Sequence, residues 1–186
     1  IINEPETLNC STPLVVLDGG NSSMGPNLEY EWQGNISSLQ GQFIAFIEEP
    51  GFDTLIVRNT ENGCVDSAFV EVMQDTIAPI ADAGTPWELN CGFQTFAFNG
   101  TSSVGSQFIY EWQTDSGHFV TSNLISNPSI DSAGMYYLTV TDTLNGCTAM
   151  DSIQILANYN TPFADAGPDG VLDCDNPTYT LSLIHI

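Results

Sequence analysis

The sequence predicts an all-β chain of tandem β-sandwich domains, and three observations carry that expectation. A block of roughly 81 to 83 residues occurs twice and begins a third time. Within each block, short apolar runs are broken by Gly, Asn, Asp, Ser and Pro, and no stretch keeps helical periodicity over three turns. Each block also has one cysteine near its start and another directly after an Asn-Gly pair.

The repeat is read from matched segments. "TLNCSTPLVVLDG" at 7–19 aligns with "ELNCGFQTFAFNG" at 88–100, and "YEWQ" at 30–33 with "YEWQ" at 110–113. "NTENGC" at 59–64 aligns with "DTLNGC" at 142–147, and "APIADAG" at 78–84 with "TPFADAG" at 161–167. From Cys64 to Gly84 and from Cys147 to Gly167 the copies align without a gap. The expected divisions are 1–78, 79–161 and a third start at 162–186.

Strand expectations follow from side-chain alternation. Val15 and Leu17 share a face, as do Phe96 and Phe98 in the second copy. Tyr30 and Trp32 face one way with Glu31 opposite, and Tyr110, Trp112 and Glu111 repeat the arrangement. Residues 136–156 read as a hairpin, with Leu138, Val140, Ile153 and Ile155 facing inward around an Asn145-Gly146 turn. About seven short strands per block, in a Cys…Trp…Cys order, point to an immunoglobulin-like sandwich.

The cysteines are expected to pair within each block, Cys10 with Cys64 and Cys91 with Cys147, because this keeps one disulfide per repeat. Closing a loop of that size contributes about 4 kcal/mol in the chain-entropy account. The second cysteine lies past the hairpin turn, so the bridge is expected to pin an N-terminal strand to the last hairpin near one end of the sandwich. Zinc is the competing use, but the sequence has no Cys-x-x-Cys or Cys/His cluster. Disulfides imply an oxidising compartment outside the cytoplasm.

At this point a resemblance appears. Leu-Asp-Gly before a Ser-rich loop, Tyr-x-Trp, a Gly ahead of the late strand, Asn-Gly-Cys and the Ala-Asp-Ala-Gly linker together resemble the PKD-like immunoglobulin-like repeats. Those repeats occur in tandem in large bacterial surface proteins and adhesins, including gliding-motility adhesins. The chain departs from typical PKD domains in having "WQGN" and "WQTDSG" in place of Trp-Asp-Phe-Gly-Asp-Gly. It also has Asp53 where the second copy has Tyr136. The resemblance implies a non-catalytic spacer in an extracellular, surface-anchored bacterial protein. Its alternative is a glycan- or protein-binding module appended to a secreted hydrolase.

Charge narrows the partners. One Arg, no Lys and 23 carboxylates leave a net charge of −22. Nucleic acid and anionic membrane surfaces would both repel such a chain. No apolar run approaches a membrane span. Neighbouring repeats of the same chain, or an extracellular glycan or protein, remain as partners.

Catalysis is not expected. His118 could be imagined in a Ser-His-Asp set with Asp115, but the first copy has no counterpart, and a solvated loop histidine is the simpler reading. Trp32 and Trp112 read as core, while Trp87, replaced by Glu6 and Gly170 in the other copies, reads as partly exposed. No cofactor is expected, although related PKD domains can bind Ca²⁺. Candidate ligands are Asp75, Asp82 and Asp165 near the repeat junctions and the Asp18/Asn21 loop, without an EF-hand or Asp-x-Asp-x-Asp run. Asp-Ser/Thr-aliphatic triplets at 53–55, 66–68, 75–77, 131–133, 142–144 and 151–153 resemble a bacterial O-glycosylation acceptor pattern.

Cys174 occupies the first-cysteine position of a third block, so its partner is expected roughly 55 residues further along a longer polypeptide. The opening residues carry neither an initiating Met nor a signal-peptide pattern, which fits a chain that starts inside that polypeptide. The terminal "LSLIHI" at 181–186 departs from the repeat and resembles a translated sequencing-adapter end.

Overall fold

The computed structural model describes residues 4–40, 42–165, 169–172, 174–175 and 177–178. The expected third-repeat start at 162–186 is only partly among them, and the hexapeptide at 181–186 lies outside them. The first sandwich is built from β1 (Leu8–Asn9), β2 (Val15–Asp18), β3 (Leu28–Gln33), β4 (Ile36–Gln40), β5 (Ile44–Ile47), β6 (Gly51–Asn59), β7 (Val65–Val72) and β8 (Gln74–Asp75). The second comprises β9 (Trp87–Asn90), β10 (Phe96–Ala97), β11 (Phe108–Thr114), β12 (Ser129–Ile130), β13 (Gly134–Asp142) and β14 (Thr148–Asn158).

In the first sandwich one sheet runs β2-β5-β4 and the other β3-β6-β7, with β1 running parallel to β8, which continues β7 after a break at Met73. In the second, β10 pairs with β12 against a sheet ordered β11-β13-β14-β9. All these pairs are antiparallel except two. β1 lies parallel to β8, and β9 parallel to β14, with registers Asn9↔Asp75 and Asn90↔Asn158. Two facing antiparallel sheets closed by a parallel first strand make each unit an immunoglobulin-like sandwich.

Alternation places the cores. Val15, Leu17, Trp32, Ala45, Ile47, Leu55 and Val72 fill the first sandwich, while Val16 and Glu31 point outward. Phe98, Trp112, Ile130, Tyr136, Leu138, Val140, Ile153 and Ile155 fill the second. Phe98 stacks on Trp112 with ring centroids 4.2 Å apart, and Tyr136 meets Phe98 edge-on at 5.3 Å. The 136–156 hairpin forms with Leu138, Val140, Ile153 and Ile155 inward, as the alternation predicts.

The two copies differ at one core position. Tyr136 donates its hydroxyl to the Ser132 carbonyl at 2.7 Å and accepts the His118 N–H at 3.1 Å, tying the start of β13 to two loops. The first copy replaces this ring with Asp53, whose Oδ1 accepts the equivalent backbone N–H, that of Asn35, at 2.7 Å. The backbone cap is retained while the ring is lost. Asp53 is wholly buried, and its Oδ2 has no hydrogen-bond partner. Burial pushes its carboxyl pKa upward against the lowering effect of the Asn35 bond.

A carboxyl raised in the folded state contributes stability that is fully present below its unfolded pKa and is lost as pH rises through the folded pKa. We therefore expect the melting temperature of the Asp53→Asn variant, relative to the parent, to be highest at pH 7 and to decline on acidification towards pH 4. A difference that is flat with pH, or that rises on acidification, would contradict this account of Asp53. The check is a thermal unfolding series on both proteins.

Candidate functional site: the junction between the sandwiches

The parallel pairing of the first strand with the last separates the two cysteines of each repeat. Cys91 follows Asn90, which sits beside Asn158 at the end of β14, whereas Cys147 precedes Thr148 at its beginning. A strand of that length spans roughly 33 Å, and a disulfide requires Cα atoms within about 7 Å. Cys10 and Cys64 are separated in the same way along β7 and β8. The expected pairs Cys10–Cys64 and Cys91–Cys147 are therefore not formed. Cys10 is instead bonded to Cys147, with a Cα–Cα distance of 5.0 Å, and Cys64, Cys91 and Cys174 carry free, exposed thiols.

This bridge joins the end of the first sandwich to the hairpin turn of the second. Asn145, almost wholly buried, organises the contact. Its side-chain amide donates to the Ile77 carbonyl at 2.9 Å and to Asp75 Oδ1 at 3.2 Å. Its Oδ1 accepts the Cys147 N–H at 2.9 Å, and its own carbonyl accepts the Ser11 N–H at 3.2 Å. Gly146 has φ +71°, and a methyl group there would fall within 2.8 Å of the Ser11 Cβ. Glycine thus serves both the left-handed turn and the close approach of the two sandwiches. The bridge closes 137 residues, worth about 5 kcal/mol against the unfolded chain in the chain-entropy account.

The Ala-Asp-Ala-Gly linker forms the second half of the junction. Ile80 donates its N–H to Ser103 Oγ at 2.8 Å and accepts the Ser103 N–H at 3.0 Å. The Asp82 N–H donates to Ser102 Oγ at 2.9 Å, and the Ala83 N–H to Asp151 Oδ2 at 2.7 Å. Ala83 is fully buried in the second core. Asp82 Oδ2 accepts the Thr101 hydroxyl at 2.7 Å and the Thr101 N–H at 2.8 Å, while Oδ1 accepts the Gly84 N–H at 2.9 Å. These bonds, the Thr101 hydroxyl first, hold the Asp82 carboxyl below its ordinary pKa. The linker is thus strapped along the second sandwich from Ile80 onward.

The calcium candidates are not brought together. Asp18 Oδ1 accepts the Gly20 N–H within its own loop, and Asn21 lines a groove on the first sandwich. Asp75 lies at the junction, Asp82 in the strap, and Asp165 in the exposed segment after the second sandwich. Among the described residues, no three His, Cys, Asp or Glu side chains gather as metal ligands.

His118 pairs through Nδ1 with Asp131 Oδ1 at 2.8 Å, and Asp115 instead accepts the Tyr137 hydroxyl at 3.1 Å. The Asp131 carboxyl is held low, chiefly by the His118 bond. The neighbouring Ser132 hydroxyl donates to that same carboxylate rather than to the imidazole, so it is not activated as a nucleophile. Trp32 and Trp112 are core residues, and Trp87 is 41% exposed, stacked on Phe96 and edge-on to Phe93. The sequence marks Asn145 as a turn residue and Asp151 as part of an acceptor triplet, but shows neither as a junction residue, and it gives no signal for Ser11.

No family model and no curated protein matches the sequence. Among solved structures, the chain is similar to the three N-terminal domains of the bacteriophage RB49 highly immunogenic outer capsid protein. The TM-score is 0.42 and the identity 13%, over 84% of this chain and 59% of that one. It is also similar to the I-band fragment I67–I69 of titin, with TM-score 0.40 and 13% identity over 77% and 59% of the two chains. Immunoglobulin domains 1–4 of Sidekick-1 give a TM-score of 0.39 and 11% identity over 85% and 48% of the two chains. All three are tandem immunoglobulin-like assemblies. The fold assignment for this chain stands on its own sheet order.

Two measurements check the junction. Peptide mapping without reduction should recover the Cys10 and Cys147 peptides joined, and recovery of Cys10–Cys64 or Cys91–Cys147 in their place would refute the bridge. Gly63→Ala and Gly146→Ala each place a side chain at positive φ, costing about 1–2 kcal/mol. Gly146→Ala should cost at least 1 kcal/mol more, because Ser11 crowds it while nothing lies within 4 Å of the Gly63 position. Equal costs in chemical denaturation would contradict the packing described.

Proposed function

We propose that the chain is a non-catalytic spacer of the PKD-like type from an extracellular bacterial surface protein, in which each sandwich is a bead held in a set direction by its neighbour. The observation that carries this reading is the junction itself. One covalent bond, the Asn145 contacts and the strap leave little freedom where a flexible linker would allow a wide range of angles. A disulfide that bridges two domains also fits an oxidising compartment outside the cytoplasm. The acidic surface keeps an extended array soluble and self-repelling. The divisions at 1–78, 79–161 and 162–186 describe the beads in this proposal.

A glycan- or protein-binding module is the second reading, favoured by one patch. Pro86, Trp87, Phe93 and Leu156, with Glu88 and Asn90, line a mostly apolar hollow of about 470 Å³ on the second sandwich. Absence of change in Trp87 fluorescence on titration with oligosaccharides would remove its glycan form.

Small-angle scattering tests the spacer. The oxidised chain should give a rod roughly 70 Å long, two strand lengths end to end. The Cys10→Ser/Cys147→Ser variant should give a broader distance distribution. Identical profiles for the two, or a parent profile of freely jointed beads, would refute the reading.

A further inference from the structure

The junction has two halves, and each recurs unfilled elsewhere on the molecule. The half contributed by the second sandwich is the Asn145-Gly146-Cys147 turn. Its counterpart Asn62-Gly63-Cys64 has the same internal bonds. The Cys64 N–H donates to Asn62 Oδ1 at 2.9 Å, as Cys147 does to Asn145 Oδ1. Gly63 donates to the Asn59 carbonyl at 2.8 Å, as Gly146 does to that of Asp142. The φ values are +74° and +71°. Yet Asn62, Gly63 and Cys64 are all exposed, whereas Asn145 and Cys147 are buried against the first sandwich.

The half contributed by the first sandwich recurs at Cys91. Asn9 Oδ1 accepts the N–H groups of Ser11 and Thr12 at 2.9 and 2.7 Å, presenting Cys10 between them. Asn90 Oδ1 accepts those of Gly92 and Phe93 at 2.9 and 3.0 Å, presenting Cys91 in the same way. Asp75, which receives Asn145, corresponds to Asn158, which offers the same side-chain oxygen.

A groove completes the correspondence. In the second sandwich the Ile80–Gly84 strap lies along Thr101, Ser102, Ser103 and Asp151. Their counterparts in the first sandwich are Asn21, Ser22, Ser23 and Ala68, which line a groove of about 410 Å³ that also reaches Leu55 and Cys64.

We infer that the Cys64 turn with its groove and the Cys91 strand end are complementary docking faces, and that the occupant of each is another sandwich of this same repeat. Docked head to tail, Cys91 of one sandwich pair bonds to a Cys64-type turn of the next, in continuity with the Cys10–Cys147 junction. The disulfides of the array would then be staggered, each first cysteine joined to the second cysteine of the following domain. The bond forms when the two thiols lose two protons and two electrons to a disulfide oxidant, such as oxidised glutathione, which is cleaved to two thiols. This inference rests on the spacer reading and adds the identity and polarity of the neighbour. The faces contain no basic groups to offset the acidic surface, so docking between separate chains should be favoured by salt, which screens repulsion beyond about 4–5 Å at 0.5 M.

A second copy of the chain supplies both faces, and two variants test them with the Cys10–Cys147 bridge intact. Cys64→Ser/Cys174→Ser leaves only Cys91 free, and Cys91→Ser/Cys174→Ser leaves only Cys64. Mixed in equal amounts in a glutathione redox buffer with 0.5 M NaCl, they should form the Cys91–Cys64 heterodimer at least about tenfold over either homodimer. Ala68→Phe in the Cys64 chain, which fills the groove, and Asn158→Ala in the Cys91 chain should each lower the heterodimer severalfold and leave the homodimers unchanged. A statistical mixture of dimers, no dimer, or a heterodimer indifferent to both substitutions would overturn the inference. A rod-like scattering profile alongside any of those results would discard staggered docking and keep the spacer.

Discussion

The parallel pairing of the first strand with the last sets the organisation of this molecule. A first strand that ran antiparallel to β14 and reached its beginning would deliver Cys91 to the Cys147 turn and allow a bridge inside the domain. Because β9 runs parallel, its end lies beside Asn158, a full strand length away. The same holds for β1 and β8. Each sandwich thus has one cysteine at each pole, and a cysteine at a pole can reach only a neighbour. The Cys10–Cys147 bridge is the outcome of that geometry.

Other features of the junction follow from placing two poles in contact. A buried polar contact needs partners, and Asn145 meets this requirement with both its amide donors and its acceptor. A neutral amide suits the task on a chain of net charge −22: it donates to the Asp75 carboxylate, where a second carboxylate would be repelled. The strap solves a related problem. An extended linker leaves backbone N–H groups unpaired, and Ser102, Ser103 and Asp151 accept three of them. Its two alanines have side chains small enough to lie against the second core.

The two sandwiches show how far the core tolerates substitution while the frame persists. Tyr136 and Asp53 accept the same backbone N–H from opposite extremes of side-chain chemistry, one aromatic and one acidic. In the second copy the ring also packs on Phe98 and Phe119. In the first, Asp53 retains the cap but leaves one carboxylate oxygen buried without a partner. Trp32 carries a similar burden: its indole N–H is buried without a partner, whereas that of Trp112 donates to the Ser126 carbonyl at 3.3 Å.

What the sequence by itself determined is the local and periodic part of the structure. Alternation at Val15–Leu17, Tyr110–Trp112 and Leu138–Val140 is enough to state which side chains face inward, because strand geometry has a period of two. The Asn-Gly turn and the repeat offset are likewise local facts of spacing. The cysteine partners were not legible, because they depend on the direction in which β9 meets β14, a contact between distant segments that leaves no mark in spacing. Within-repeat pairing looked like the arrangement that respects the repeat, yet a stagger by one domain respects it equally. The aspartates were misleading for a similar reason. Asp82 and Asp75 look like cation ligands in the sequence, and tertiary structure commits them to Thr101, Gly84 and Asn145. Only the fold decides which distant donors a carboxylate meets: beside the local Ile77 N–H, Asp75 accepts from Asn145, 70 residues away.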